Sequence, residues 1–117
     1  MNRPPQDHLP LTHVVYVLLS LAGETRHGYG IIKDVEERTE GRLVLEAGTL
    51  YQAIKRLREE GMIEEAGAPA GADARRRYYG LTPLGRRVLR AESERLAELV
   101  EMARSARVLP PAPAGGA

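Results

Sequence analysis

The sequence predicts a mainly α-helical domain that carries one small β-hairpin. Four segments show apolar residues at helical spacing or as a continuous run. Between the third and the fourth, two short stretches with strand-forming residues flank the small-residue sequence GAPAGADA. The chain has 117 residues, 43% hydrophobic and 28% charged, which is enough for one globular domain with a small core.

The first two predicted helices lie in the N-terminal third of the chain. Pro10 suits the first turn of a helix, and Leu11–Ala22 follows as an almost continuous apolar stretch. Its β-branched residues would also suit a strand. We favour a helix that is apolar all round and therefore buried on several sides, including against a second chain. The second helix is predicted over Gly28–Thr39, with Gly41 as its C-terminal stop. Its expected apolar face is Tyr29, Ile32 and Val35.

A third helix is predicted over Glu46–Gly61. Its apolar residues Leu50, Ile54 and Leu57 share one face. The other face carries Thr49, Gln52, Lys55 and Arg56, with Tyr51 on the flank, whereas Glu59 and Glu60 lie at the helix end. Such donors and acceptors can read base edges and phosphates, and carboxylates among them would be repelled by DNA. An ordinary solvated face is the alternative for these residues, and packing beside the core is the alternative for Tyr51.

The predicted hairpin follows this helix. Met62–Ala66 and RRRYYGL, at positions 75–81, are the candidate strands, and Gly67–Ala74 joins them as a flexible tip. An arginine-rich segment at a flexible tip suits sequence-independent attraction to phosphate. The residues concerned are Arg75, Arg76 and Arg77. Ordinary surface charge is the alternative, and Arg77 is also a candidate structural residue.

The last predicted helix is the longest. Thr82 is placed to cap it and Pro83 to occupy its first turn, and the helix extends to about Val108. Apolar residues recur along it at seven-residue spacing, a seam that would join two copies of the chain. The residues predicted to form this dimer contact are Val15 and Leu19 of the first helix and Leu89, Leu96, Leu99, Val100 and Ala103 of the last.

The residues present do not indicate a catalytic site or a metal site. The absence of cysteine excludes a thiolate zinc site and a cysteine nucleophile. His8 and His13 are five residues apart, off the i, i+4 spacing that places two metal ligands on one helical face. We therefore expect no enzyme, no metal and no cofactor. No apolar run reaches the length of a membrane span and the N-terminus lacks a signal-like core, so we expect a cytoplasmic protein without membrane contact.

The stretch HGYGIIK has the beginning of a phosphate-binding glycine loop but not its end. Lys33 stands where GxGxxG requires its third glycine, and no clear strand precedes the stretch. Gly28 and Gly30 are instead predicted to allow close packing at the start of the second helix. His27 is predicted to cap or hydrogen-bond there, with contact to a phosphate as the second option.

Three helices, a hairpin and a long last helix are the element order of a winged helix-turn-helix with an appended dimerisation helix. In such a fold the third helix enters the major groove of DNA and the hairpin, or wing, lies against the backbone. The predicted organisation is a flexible arm at residues 1–8, a DNA-binding domain at 9–81, a dimerisation helix at 82–108 and a disordered tail at 109–117.

Three blocks make the sequence resemble the PadR-like family of bacterial transcriptional regulators. They are HGYGI at 27–31, GTLYQAIKRLREEGMI at 48–63 and RRRYYGLTPLGR at 75–86. Gln52 departs from the pattern, since many relatives have proline there. The short C-terminal part resembles members with a single dimerisation helix.

The resemblance implies a homodimeric repressor that binds a palindromic operator in double-stranded DNA and releases it when an effector or stress signal arrives. A winged-helix protein–protein interaction module that has lost DNA binding is the alternative, and the modest net charge of +1 is its best support. A third hypothesis, compatible with the first, is a sensor of a small hydrophobic effector held at the dimer interface near Val15, Leu19, Leu96 and Val100.

Overall fold

The computed structural model describes residues 13–113 and contains four helices and a three-stranded antiparallel sheet. In chain order the elements are α1 (His13–Ser20), β1 (Arg26–His27), α2 (Gly28–Arg38), α3 (Ala47–Glu59), β2 (Ile63–Ala66), β3 (Tyr78–Leu81) and α4 (Pro83–Ser105). The predicted fold class is confirmed. The predicted arm, Pro10, the first two residues of the predicted first helix and the last four residues of the tail lie outside the described residues.

The sheet has the strand order β1-β3-β2, so β3 is its central strand. β2 and β3 form the predicted hairpin, with Ile63 opposite Leu81. β1 was not predicted. It pairs antiparallel with β3, with Arg26 opposite Tyr79. A two-residue strand is too short to show an alternating pattern, so the sequence carried no periodic signal for it.

The second strand of the hairpin is shorter than predicted. β3 begins at Tyr78, and the three arginines before it lie outside the strand. The Arg75 backbone N–H donates to Asp73 Oδ1 at 2.9 Å, which stabilises a turn at this point. Tyr78 and Tyr79 are both buried, because β3 lies between the other two strands. The prediction of a strand over all of positions 75–81 was therefore wrong for the arginines.

The main core lies between α1, α2, α3 and the sheet. Leu50, Ile54 and Leu57 of α3 are at most 3% exposed, which confirms the predicted apolar face of this helix. Burial of one such side chain contributes about 1.5–3 kcal/mol, so these three together fix the rotation of α3 about its axis. The face that carries the candidate contact residues is thereby turned to solvent.

The buried face of α2 differs from the predicted one. Ile31 and Val35 are completely buried, whereas Tyr29 is 56% exposed and Ile32 lies partly buried against the core. The placement of Tyr29 on the core side was therefore wrong. Its ring lies instead beside a histidine and two cationic side chains, which are described with the candidate site.

The start of α4 is fixed by a helix cap and a close backbone contact. Thr82 Oγ1 accepts a hydrogen bond from the Gly85 N–H at 3.0 Å, and Pro83 is the first helical residue, as predicted. The Thr82 N–H donates to the Met62 carbonyl oxygen at 3.0 Å. A Cβ on Gly85 would overlap that oxygen and lie 2.9 Å from the Met62 carbonyl carbon. Only glycine therefore lets α4 approach the base of the hairpin this closely.

Candidate nucleic-acid interface

α3 presents the candidate contact residues to solvent. Thr49, Gln52, Lys55 and Arg56 are all exposed, and Tyr51 is 53% exposed. They share the surface opposite the buried apolar side chains of the helix. The helix therefore offers a hydroxyl, an amide and two cations on one accessible surface.

The two cations of α3 have different surroundings. Arg56 Nε donates to Glu60 Oε1 at 3.0 Å, one turn further along the helix. Lys55 forms no ion pair with another residue in the range 13–113. An exposed ion pair contributes about 0.2–1 kcal/mol, so a phosphate can displace Glu60 from Arg56 at small cost.

The wing is the hairpin of β2 and β3 together with residues 67–77, which join them. All three of its arginines lie near carboxylates: Arg75 Nε lies 3.2 Å from Asp73 Oδ1, Arg76 Nε lies 3.9 Å from Asp73 Oδ2, and Arg77 Nε lies 3.9 Å from Glu65 Oε1. Glu65 also lies 3.4 Å from Nη2 of Arg58 on α3. Glu65 thus links the wing to α3, although all these groups remain exposed.

Arg76 is held differently from its two neighbours. Its Nη1 lies 3.2 Å from Nδ1 and 3.4 Å from Nε2 of His27, at the start of α2. Its guanidinium carbon lies 5.9 Å from the centre of the Tyr29 ring, a cation–π distance. Arg76 therefore lies against the body of the domain, whereas Arg75 pairs locally within the wing.

His27 caps α2, as predicted. Its Nδ1 accepts a hydrogen bond from the Gly30 N–H at 2.9 Å. Because Nδ1 accepts, the proton of the neutral ring is assigned to Nε2. Burial lowers the pKa of His27, the positive charge of Arg76 lowers it further, and Asp73 opposes the shift. The site therefore favours an uncharged imidazole.

Tyr51 lies across the start of α2. A Cβ on Gly28 would be 2.6 Å from Tyr51 Oη and 3.0 Å from its Cζ, so glycine is needed here to leave room for the ring. This confirms the predicted packing role of Gly28. At Gly30 a Cβ would lie 3.4 Å from His27 Cε1, an ordinary contact, so the packing requirement is weaker there. The blocks HGYG and GTLY, which are separate in sequence, meet at Gly28 and Tyr51.

These side chains line a groove of about 300 Å³ between the start of α2, α3 and the wing. The lining residues are His27, Gly28, Tyr29, Tyr51, Arg76, Arg77 and Tyr79. Three of the eight candidate contact residues, Tyr51, Arg76 and Arg77, come together here. Tyr29 was not among the candidates, because its place in a helical pattern assigned it to the core side.

The predicted dimer residues fall into two groups. Leu89 is 6% exposed and belongs to the core of its own chain, so it has almost no surface to offer a second copy. Leu19, Leu96, Leu99 and Val100 are exposed, whereas Val15 and Ala103 are partly exposed. The apolar residues of α4 thus change from core-facing to solvent-facing along the helix.

Residues 13–113 contain no group of three or more histidine, aspartate or glutamate side chains that could hold a metal ion. Within the same range, no helix combines the length and the apolar character that a membrane crossing requires.

Known proteins share this fold and part of this sequence. An uncharacterized protein of Lysinibacillus sphaericus is 30% identical over 91 residues, which cover 77% of this chain and 84% of that protein. A transcriptional regulator from Clostridium thermocellum has a structure with a TM-score of 0.66 at 26% identity, over 79% of this chain and 86% of the other. Bacillus subtilis PadR, solved in complex with operator DNA, has the same fold with a TM-score of 0.57 at 23% identity. That match covers 68% of this chain and 45% of PadR.

The sequence profile of the transcriptional regulator PadR-like family matches residues 17–91. This range runs from the buried part of α1 through the groove and the wing into α4. The chain belongs to the PadR-like family of transcriptional regulators.

Proposed function

We propose that this regulator binds double-stranded DNA as a dimer, with α3 in the major groove and the wing against the backbone, and acts as a repressor. The observation that carries the proposal is the exposed face of α3. It groups Thr49, Gln52, Lys55 and Arg56 without a packing role, on a helix whose rotation is fixed by its buried leucines. The fold shared with Bacillus subtilis PadR, whose structure includes operator DNA, supports DNA as the binding partner.

Two kinds of contact are expected from the two elements. The amide of Gln52 can form two hydrogen bonds with the edge of one base, and Lys55 and Arg56 can donate hydrogen bonds to guanine. The wing arginines carry charge but lie outside regular secondary structure, so we assign them to phosphates. α3 would therefore set the preferred sequence, and the wing would supply affinity that depends on salt.

The proposed dimer contact uses the exposed apolar residues of α4. Leu96, Leu99 and Val100 are 40–47% exposed, and Met102 is 64% exposed. Apolar side chains at this spacing on a helix are expected to pack against a second copy. A two-fold dimer would place two α3 helices in successive major grooves, so its operator would be a palindrome with half-sites about 34–36 Å apart.

We assign the role of repressor because a dimer bound across a promoter would block access to it. Release by a small hydrophobic effector would require a cavity between the two copies. Val15, Leu19, Leu96 and Val100 remain the candidate lining of that cavity.

A protein–protein module without DNA binding is the second candidate. The carboxylates that pair with Arg56 and Arg75 favour it, since they reduce the positive charge available to phosphates. Lys55, Arg76 and Arg77 weigh against it. Lys55 has no ion-pair partner in the range 13–113, and the nearest carboxylate lies 3.9 Å from Arg76 and from Arg77.

The test begins with selection of the preferred duplex from random sequences by the purified protein. Affinity is then measured against single-base variants of that duplex at several salt concentrations. Gln52→Ala or Lys55→Ala should relax the preference at one position per half-site, at a cost of about 1–3 kcal/mol. Arg75→Ala should weaken binding to all sequences alike and lower the salt slope by about one unit for each phosphate that the variant no longer neutralises.

The roles would be reversed if Arg75→Ala changed the base preference while both α3 variants left it intact. Failure of the unaltered protein to bind any duplex in a salt-sensitive manner would favour the protein–protein module.

A further inference from the structure

We propose that the groove between the start of α2, α3 and the wing holds one phosphate of the DNA backbone, with Tyr29, Tyr51 and Arg76 as its donors. The inference rests on the proposed function and adds a residue of α2, Tyr29, to the contacts made by α3 and the wing. It gives Tyr29 a direct role and His27 a positioning role.

The two tyrosines supply hydroxyls that no other contact explains. Tyr29 and Tyr51 are each more than half exposed, and both line the groove. Neither hydroxyl takes part in a hydrogen bond with another residue in the range 13–113. A phenolic O–H is a good donor to a phosphate oxygen, and the ring beside it can contact the apolar face of a deoxyribose.

Two cationic side chains lie close to the Tyr29 ring. The Arg76 guanidinium carbon and Lys33 Nζ each lie 5.9 Å from the ring centre. Lys33 is also paired with Glu36 at 3.3 Å, and the cations that line the groove are Arg76 and Arg77. Of these two, Arg76 is the one beside the Tyr29 ring. The carboxylate nearest to Arg76 is Asp73, at 3.9 Å from its Nε, a loose pairing that a phosphate can replace.

His27 keeps Arg76 in position. The Arg76 nitrogen is almost equally distant from both ring nitrogens, and the Nδ1 lone pair is already used by the Gly30 N–H. The imidazole ring of His27 therefore packs against the guanidinium of Arg76. Because Nδ1 already accepts a hydrogen bond, the ring cannot offer both of its nitrogens to a ligand. A cation that is positioned before binding loses less conformational freedom when it meets its anion. We assign His27 to this role and not to phosphate contact.

The chemistry of the lining favours a backbone phosphate over other ligands. Among residues 13–113 no carboxylate lines the groove, and its polar groups are hydroxyls, an imidazole and guanidinium groups. A phosphodiester brings one negative charge, two acceptor oxygens and a sugar, which match these donors and the tyrosine rings. The groove also lies between α3 and the wing, so a strand that contacts both elements passes over it.

The experiment uses the full-length protein, the duplex that it selects, and a set of copies in which one phosphate at a time is a neutral methylphosphonate. Tyr29→Phe removes only the hydroxyl and should weaken binding about five- to tenfold without changing base preference. Arg76→Gln should weaken binding and reduce the salt slope by about one unit per bound protomer. The combined variant should lose less than the product of the two factors, because both residues hold the same phosphate.

One methylphosphonate position per half-site should weaken binding of the unaltered protein. The same position should weaken binding of Tyr29→Phe by a smaller factor, because that variant has already lost one donor to the phosphate. Tyr16→Phe, a hydroxyl deletion on α1, is the matched control and should bind normally. Thermal unfolding of each variant shows whether the fold is retained. Weak binding by a Tyr29→Phe protein that is unfolded would count against the proposal.

The proposal is overturned if Tyr29→Phe binds like the unaltered protein. It is also overturned if the affinity losses of Tyr29→Phe and Arg76→Gln multiply in the combined variant and no single methylphosphonate position weakens binding. Salt-dependent binding by the unaltered protein is measured first. Its absence would refute the proposed function, whereas its presence with an unaffected Tyr29→Phe variant would refute the phosphate site alone.

Discussion

Replacement of Gly28 by alanine should weaken DNA binding without destabilising the fold. The new Cβ would lie 2.6 Å from Tyr51 Oη, against an ordinary separation of roughly 3.5 Å. The hydroxyl must therefore move by about 1 Å, and it can do so because it is the exposed end of a side chain. A phosphate hydrogen bond of about 2.7 Å would lengthen beyond the hydrogen-bonding range. Its loss should lower affinity about five- to tenfold.

The free energy of unfolding is expected to rise in Gly28→Ala, although the affinity for DNA falls. Alanine is favoured over glycine within a helix by up to about 1 kcal/mol, and Gly28 is the first residue of α2. Urea unfolding and duplex affinity measured on the same sample separate the two effects. Gly23→Ala is the matched control, since its Cβ would have no atom within 4 Å. A Gly28→Ala protein that keeps full affinity, or that loses more than about 1 kcal/mol of stability, would refute the reasoning.

Three further predictions concern the fold and the dimer. Gly85→Ala should cost about 1–3 kcal/mol in urea unfolding, because the new methyl group meets a backbone carbonyl that cannot rotate away; an unchanged midpoint would contradict this. Burial and Arg76 lower the pKa of His27 below 6.5, so the unfolded chain takes up the proton first and stability should fall as the pH drops below about 6.5. Thermal unfolding should show less of this loss in His27→Asn, which can still cap α2 but does not titrate; an equal loss would assign it to other groups. Leu99→Lys should give a monomer by light scattering, whereas Ala91→Lys, on another side of α4, should not; a dimeric Leu99→Lys would exclude this contact.

The parts of the fold that could be predicted depend on local spacing. The positions of Leu50, Ile54 and Leu57 follow one face of a helix, and that face is buried. The caps at His27 and Thr82 use hydrogen bonds to an N–H three residues away, so their residue types and neighbours were sufficient to place them.

The features that could not be predicted depend on contacts between distant parts of the chain. Arg76 and His27 are 49 residues apart, and nothing in either segment indicates that they meet. Tyr29 is exposed, and its ring lies near Arg76, which is distant in sequence. Leu89 fits the seven-residue seam equally well in sequence, but the packing of α4 against the domain buries it.

The most direct test of DNA binding is the salt dependence of the affinity of the unaltered protein for the duplex that it selects. Three to four phosphate contacts per protomer, from the wing arginines and the cations of α3, would give a dimer a slope of log K against log salt of roughly −5 to −7. A linear decrease in this range, with a preference for the selected sequence that persists at each salt concentration, is the expected result. A slope near zero, or binding that does not distinguish the selected duplex from random DNA, would contradict the proposed function.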